Sequence, residues 1–295
     1  MKYSLRNELL QIEVLQKGAE WCRMQYLPTG VDYLWTADPQ VWGKYAPLLF
    51  PIVGTLKEGK YFHNGVEYAL LRHGFARDRD FELIEQTADR LVFELKSDDS
   101  TKTVYPFSFR LRVQYTLTNL SLRVHYTVMN EGQEEMYFSI GGHPAFRIPF
   151  FPNTQYEDYA LHFEKPEHSG RWPISAGGLI ERASIPFFEG RQEIPLTKTL
   201  FARDALVFKQ LSSKQVTLLE THSKRGIRFH FGEFPYLGLW AAPGADFVCI
   251  EPWQGIADSV DHTQNLQEKE GMVRLAPGAV YGAGWTVEII DLLQG

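Results

Sequence analysis

FSFRLRVQYTLTNLSLRVHYTV, residues 107–128, alternates apolar and polar side chains twice over. Phe107, Phe109, Leu111, Val113, Tyr115 and Leu117 interleave with Ser108, Arg110, Arg112, Gln114 and Thr116. After a break at Thr118–Asn119, the set Leu122, Val124, Tyr126 and Val128 alternates with Arg123, His125 and Thr127. Successive side chains of a strand point to opposite faces, so a period of two predicts two half-buried strands and the break predicts a hairpin turn. The same pattern recurs in LLQIEVL (9–15), FELIEQ (81–86), RLVFELKS (90–97), ALVFKQL (205–211), VTLLETH (216–222), GIRFHFG (226–232) and WTVEIIDLL (285–293). Helical periodicity is scarce, 24 Gly and 16 Pro punctuate the chain, and no fixed-period repeat is visible. These observations predict an all-β, antiparallel sandwich or barrel-like protein, with residues 1–295 forming a single domain.

Composition narrows the function classes. A 44% hydrophobic content supplies a large core, and a formal net charge of −6 with no clustered Lys/Arg run argues against a nucleic-acid partner. Arg6, Glu8 and Glu13 interrupt the apolar stretch that a secretion signal needs, and no run approaches ~20 apolar residues, so no membrane partner is expected. The two cysteines, Cys22 and Cys249, lack metal-ligand spacing and read as idle thiols of a cytoplasmic protein.

Sandwiches place chemistry on an open face or at strand ends, which directs attention to three strand-to-loop junctions: LLRHGFARD (70–78), SIGGHPAF (139–146) and VCIEPWQG (248–255). In the second, Gly141 and Gly142 are expected to adopt dihedrals closed to other residues and Pro144 to fix the exit, presenting His143 at a forced bend. An imidazole there suits general acid–base work. Glu251 ends an apolar strand, where burial would raise its pKa towards that of a useful base. His73 and His143 stand 70 residues apart with no H-x-H pair, so no metal is expected. Read alone, each histidine equally suits a satisfied turn or core residue, and Glu251 a buried salt bridge.

Taken in order, LLFPIVG…LKEGKY, RHGFARD, SIGGHPAFRIP, FARDALVF and CIEPWQGIADS resemble the aldose 1-epimerase (galactose mutarotase) superfamily, and within it the LacX-like branch; the similarity runs from about residue 4 to residue 290. The resemblance implies a β-supersandwich with a concave sugar-binding face and a cofactor-independent interconversion of α and β anomers. It implies Glu251 as catalytic base, His143 as catalytic acid, His73 as the residue that positions the sugar ring and Asp204 as a substrate ligand. It also implies a small-molecule sugar partner and a monomer or homodimer. Many relatives carry an arginine where this chain has Thr55, and Lys57, or less readily Arg72, could supply that contact. Trp253 and Phe75, each two residues from a site residue, have the parity to wall the sugar, with Trp240 a further candidate. Arg72, Arg77, Arg79 and Arg147 could hold a phosphate if the substrate is a hexose 6-phosphate. A non-catalytic carbohydrate-binding protein and a glycosidase using Asp204 and Glu251 are the readings from other classes.

Overall fold

A computed structural model describes residues 1–290. The strand Phe109–Thr118 buries Phe109, Leu111, Val113, Tyr115 and Leu117 on one face, and its neighbour Ser121–Asn130 buries Leu122, Val124, Tyr126 and Val128. Thr118 pairs with Ser121 across the predicted turn, where Asn119 takes a left-handed φ of 49°. Around this hairpin grows a nine-stranded antiparallel sheet in the order Arg191–Pro195, Tyr159–Glu167, Gln215–Glu220, Gly226–His230, Val280–Ile290, Ser121–Asn130, Phe109–Thr118, Arg90–Lys96, Glu82–Gln86. Every alternating segment picked out above contains a strand, but the strands are shorter than some segments: of 205–211 only Leu206–Phe208 is in one, 221–222 and 231–232 lie beyond theirs, Phe107 precedes its strand, and residues 291–293 lie outside the described residues.

A six-stranded sheet lies against the inner face of the nine-stranded one. It runs Leu206–Phe208, Tyr236–Trp240, Phe247–Gln254, Ile140–Gly142, Leu48–Leu49, with Ala145–Arg147 also paired to Phe247–Gln254. Phe146 of this sheet meets Phe229 of the larger one with ring centroids 6.0 Å apart, and Phe50 meets Phe109 at 5.1 Å. A four-stranded sheet over residues 2–32 closes the core through Trp21, 6.0 Å from Trp285. One continuous hydrophobic cluster therefore runs from Leu5 to Ile289 between the layers. The opposite face of the six-stranded sheet carries a separate small cluster that includes Leu49, Val207 and Trp253, and it is this face that bears the cavity described below. The fold is the expected all-β, antiparallel one. Among the described residues no helix is long and apolar enough to cross a membrane.

Candidate active site

Ile140 pairs with Gln254 and Gly141 with Trp253; beyond an interruption, Ala145 pairs with Cys249 and Phe146 with Val248. Both stretches keep one offset, so His143 falls opposite Glu251, and opposed residues of an antiparallel ladder project to the same side. His143 Nε2 lies 3.1 Å from Glu251 Oε2. The strand is thus not turned away at His143: its direction is held by the His143 N–H donating to the Pro47 carbonyl at 3.1 Å and by the Ile250 N–H donating to that of Pro144 at 3.3 Å.

The glycines beside His143 do a different job from the one expected. Neither Gly141 nor Gly142 has a positive φ. A Cβ on Gly141 would stand 2.7 Å from Trp253 Cδ1, and one on Gly142 would stand 2.9 Å from the Tyr126 hydroxyl. They leave room for the Trp253 indole on the cavity side and for the Tyr126–Trp285 hydrogen bond on the core side.

His73 is set by a tight turn, with φ +69° at His73 and +70° at Gly74. Its N–H donates to the Gly54 carbonyl at 2.9 Å, and the Gly54 N–H donates back to His73 Nδ1 at 3.1 Å. With Nδ1 accepting, the ring hydrogen sits on Nε2. The same turn overturns the expectation that Arg72 points away: Arg72 and His73 both line the cavity, with an Arg72 terminal nitrogen 3.8 Å from Asp204 Oδ1. It also removes Phe75, whose ring packs on Phe50, Tyr105 and Phe109 instead of lining the cavity. Lys57 is likewise not a cavity residue, because its amine donates to the His262 carbonyl at 3.2 Å.

The resulting cavity, of about 400 Å³, carries Arg72, His73, Arg77, His143, Asp204 and Glu251 as its polar groups, with Trp42, Phe201, Trp240 and Trp253 as aromatic walls. Trp42 stacks on the His143 ring at 5.0 Å and 28°, and Trp240 meets it edge-on at 5.7 Å. The sequence reading had no signal for Trp42 or Phe201. Both lie in loops, where no periodicity points at a partner. Of the arginines considered for a phosphate, Arg72 and Arg77 line this cavity, and Arg79 and Arg147 do not.

Burial dominates the electrostatics. It raises the Glu251 carboxyl well above its usual range; Arg72 opposes the rise and Asp204 adds to it. The same burial lowers His143 to about 3, against a smaller pull from its own main chain and with Arg72 and Arg77 adding to the fall. His73 is also held well below its usual value by burial and by the neighbouring His143. Burial therefore favours the neutral forms of both Glu251 and His143. The contact at 3.1 Å is close but not aligned as a hydrogen bond: Glu251 Oε2, His143 Nδ1 and Trp253 Nε1 are buried without an aligned partner. Buried polar atoms are normally satisfied, so these three retain hydrogen-bonding capacity.

Ligand atoms of His143, Cys249 and Glu251 lie within 4.8 Å of one another. Burial holds the Cys249 thiol well above its ordinary pKa.

The family model for aldose 1-epimerase matches residues 1–287. The chromosomally encoded protein LacX of Lactococcus lactis subsp. lactis is 34% identical over 290 residues, covering 94% of this chain and 95% of LacX. A galactose mutarotase related enzyme from Lactobacillus acidophilus superposes with a TM-score of 0.94 at 33% identity, covering 100% of this chain and 99% of the other. A galactose mutarotase-like protein from Lactobacillus casei superposes with a TM-score of 0.91 at 27% identity, covering 98% of this chain and 100% of the other. A family match along nearly the whole sequence, with a relative this similar from end to end, makes the chain a member of the aldose 1-epimerase family.

Proposed function

We propose that this protein is a cytoplasmic, cofactor-independent aldose 1-epimerase, acting as one unit over residues 1–295, that interconverts the α and β anomers of an aldohexose at the His143–Glu251 pair. The observation that carries the reading is the placement of an imidazole and a carboxyl 3.1 Å apart on one wall of a hexose-sized cavity. Opening a pyranose removes the proton of the anomeric hydroxyl while the ring oxygen receives one. Glu251 takes the first proton and His143 gives the second. The aldehyde then turns about its C1–C2 bond and closes on the other face with the roles reversed. The cycle needs one proton on the pair; burial favours its place on Glu251, and sugar binding must shift it across the 3.1 Å gap to His143. Polar contacts brought by the substrate, which partly reverse the burial that holds both groups neutral, favour that shift.

The remaining cavity groups then have roles in binding. His73 offers its Nε2–H to the sugar, Asp204 accepts from hydroxyls, and Arg72 supplies the contact that relatives draw from the position of Thr55. Trp253 forms an apolar wall for the ring. Freshly dissolved α-glucose and α-galactose, followed by NMR, test the reading. Wild type accelerates anomer exchange, and Glu251→Gln and His143→Asn each lose ~10²-fold or more with the fold intact. Saturable sugar binding without exchange would replace the enzyme by a carbohydrate-binding protein.

Arg72 and Arg77 both line the cavity, and this favours one second reading, a hexose 6-phosphate as the preferred substrate. A higher kcat/KM for glucose 6-phosphate than for glucose, reversed in Arg77→Gln, would select it.

A further inference from the structure

Asp258 and Lys269 form an ion pair at 3.0 Å with both side chains 0% exposed, and neither lines the cavity. A pair so deeply buried gains little stability over an apolar replacement, so stability alone does not account for it. The contacts of Asp258 supply one. Its Oδ1 accepts from Lys269, whose amine also donates to the Ile256 carbonyl. Its Oδ2 accepts the Lys57 N–H at 2.9 Å, and its own N–H donates to the Thr55 carbonyl at 2.9 Å. Next to it, Ala257 packs so closely on Gly54 that a Cβ there would stand 2.5 Å away. Gly54 is the residue whose N–H and carbonyl grip His73. An unbroken series of contacts therefore runs from Lys269 through Asp258 and the 54–57 turn to the His73 ring, and it ties the chain following Glu251 to the loop facing it.

We propose that Asp258, held in place by Lys269, is a positioning residue for His73: it fixes the 54–57 turn so that the Gly54 N–H stays on His73 Nδ1 and the Nε2–H stays aimed into the cavity. The inference rests on the reading of that cavity as a sugar site. Without the clamp, Gly54 shifts, His73 loses its tautomer bias, and the sugar loses a fixed donor while the His143–Glu251 pair is untouched.

Two variants test this in the full-length protein. Asp258→Ala/Lys269→Met removes both charges together with the acceptor for Lys57. Lys57→Pro removes the N–H that Asp258 holds, together with the side-chain amine that donates to the His262 carbonyl, and Lys57→Ala, which removes that amine alone, is its control; Leu56 is extended at φ −85°, ψ 143°, as a residue before proline requires, so the buried pair remains. Each is read by the ¹⁵N shifts of the His73 ring, assigned against His73→Gln, and by anomer-exchange kinetics with glucose. The expected result is loss of the Nε2–H bias at His73 and a rise of about tenfold in KM, the worth of one positioned hydrogen bond, with kcat changed much less. His73 shifts and KM both at wild-type values in a folded variant would overturn the proposal. If the double variant does not fold, Lys57→Pro decides alone. If wild type exchanges no sugar anomers, the sugar reading fails, and the nitrogen shifts still judge the clamp.

Discussion

At the scale of single residues, Glu251 carries the sharpest consequence. Glu251 is 1% exposed and its pKa is raised by burial, so the folded protein favours its neutral form more than the unfolded chain does. A raised folded pKa contributes stability that is complete below the unfolded value and lost as pH rises through the folded one. Glu251→Gln, which cannot ionise, is therefore expected to abolish exchange yet melt at a higher temperature than wild type, with a gap that widens from about pH 5 to about pH 8. Thermal melts across that range check it; a gap constant with pH would mean that Glu251 is ionised in the free protein. Trp42, stacked on His143 at 5.0 Å, holds that imidazole flat against the wall. Trp42→Ala is expected to cut kcat/KM about tenfold or more with little change in the melting temperature, as befits a loop residue that is only partly buried.

At the scale of elements, the site is an interrupted ladder. The register through Gly141–Trp253 and Ala145–Cys249 sets His143 opposite Glu251, and the glycines give the indole space. Gly141→Ala puts a methyl 2.7 Å from Trp253 Cδ1 and 2.8 Å from the Pro252 carbonyl. The strand cannot yield without shifting the pair, so a cost of about 1–3 kcal/mol by denaturant unfolding and a loss of activity are expected together. The sequence revealed some elements and hid others for a physical reason. Half-buried strands such as Phe109–Thr118 display a period of two, whereas Phe247–Gln254 is buried on both faces and shows an apolar run with Glu251 inside it. The turn at His73–Gly74 was hidden as well, because a left-handed histidine has no pattern of its own; hence Arg72 was placed too far from the site and Phe75 too near.

At the scale of the whole molecule, Asp258 and Lys269 tie the chain after Glu251 to the 54–57 turn. Lys269 leads the influences that hold Asp258 down to about 2, and burial lowers Lys269 itself, so the two partners pull in opposite senses and the pair's net worth is small. Removing one partner is another matter. Lys269→Met leaves the buried Asp258 carboxylate without its cation, with only the Lys57 N–H and His262 Nδ1, 3.4 Å from its Oδ2, beside it, and is expected to cost about 3–5 kcal/mol in urea unfolding at neutral pH. For Asp258 the folded pKa is depressed from 3.8, so its contribution is complete above the unfolded value and is lost as pH falls towards about 2. The penalty of Lys269→Met should therefore shrink on acidification, as the stranded carboxylate takes up a proton. A penalty independent of pH would place its origin in packing.

Alternation, composition and five ordered motifs were enough by themselves to determine the all-β class, the family and the identities of His143, Glu251, His73 and Asp204 as cavity residues. Those features are local: a side chain's parity and a motif's residues are written in consecutive positions. Tertiary structure alone decided that His143 and Glu251 face each other across one ladder, that Arg72 and Trp42 join them while Lys57 and Phe75 do not, and that burial raises the pKa of the carboxyl. Register between strands over a hundred residues apart, the sense of a left-handed turn and the depth of burial depend on how the sheets pack, and no short stretch of sequence records them.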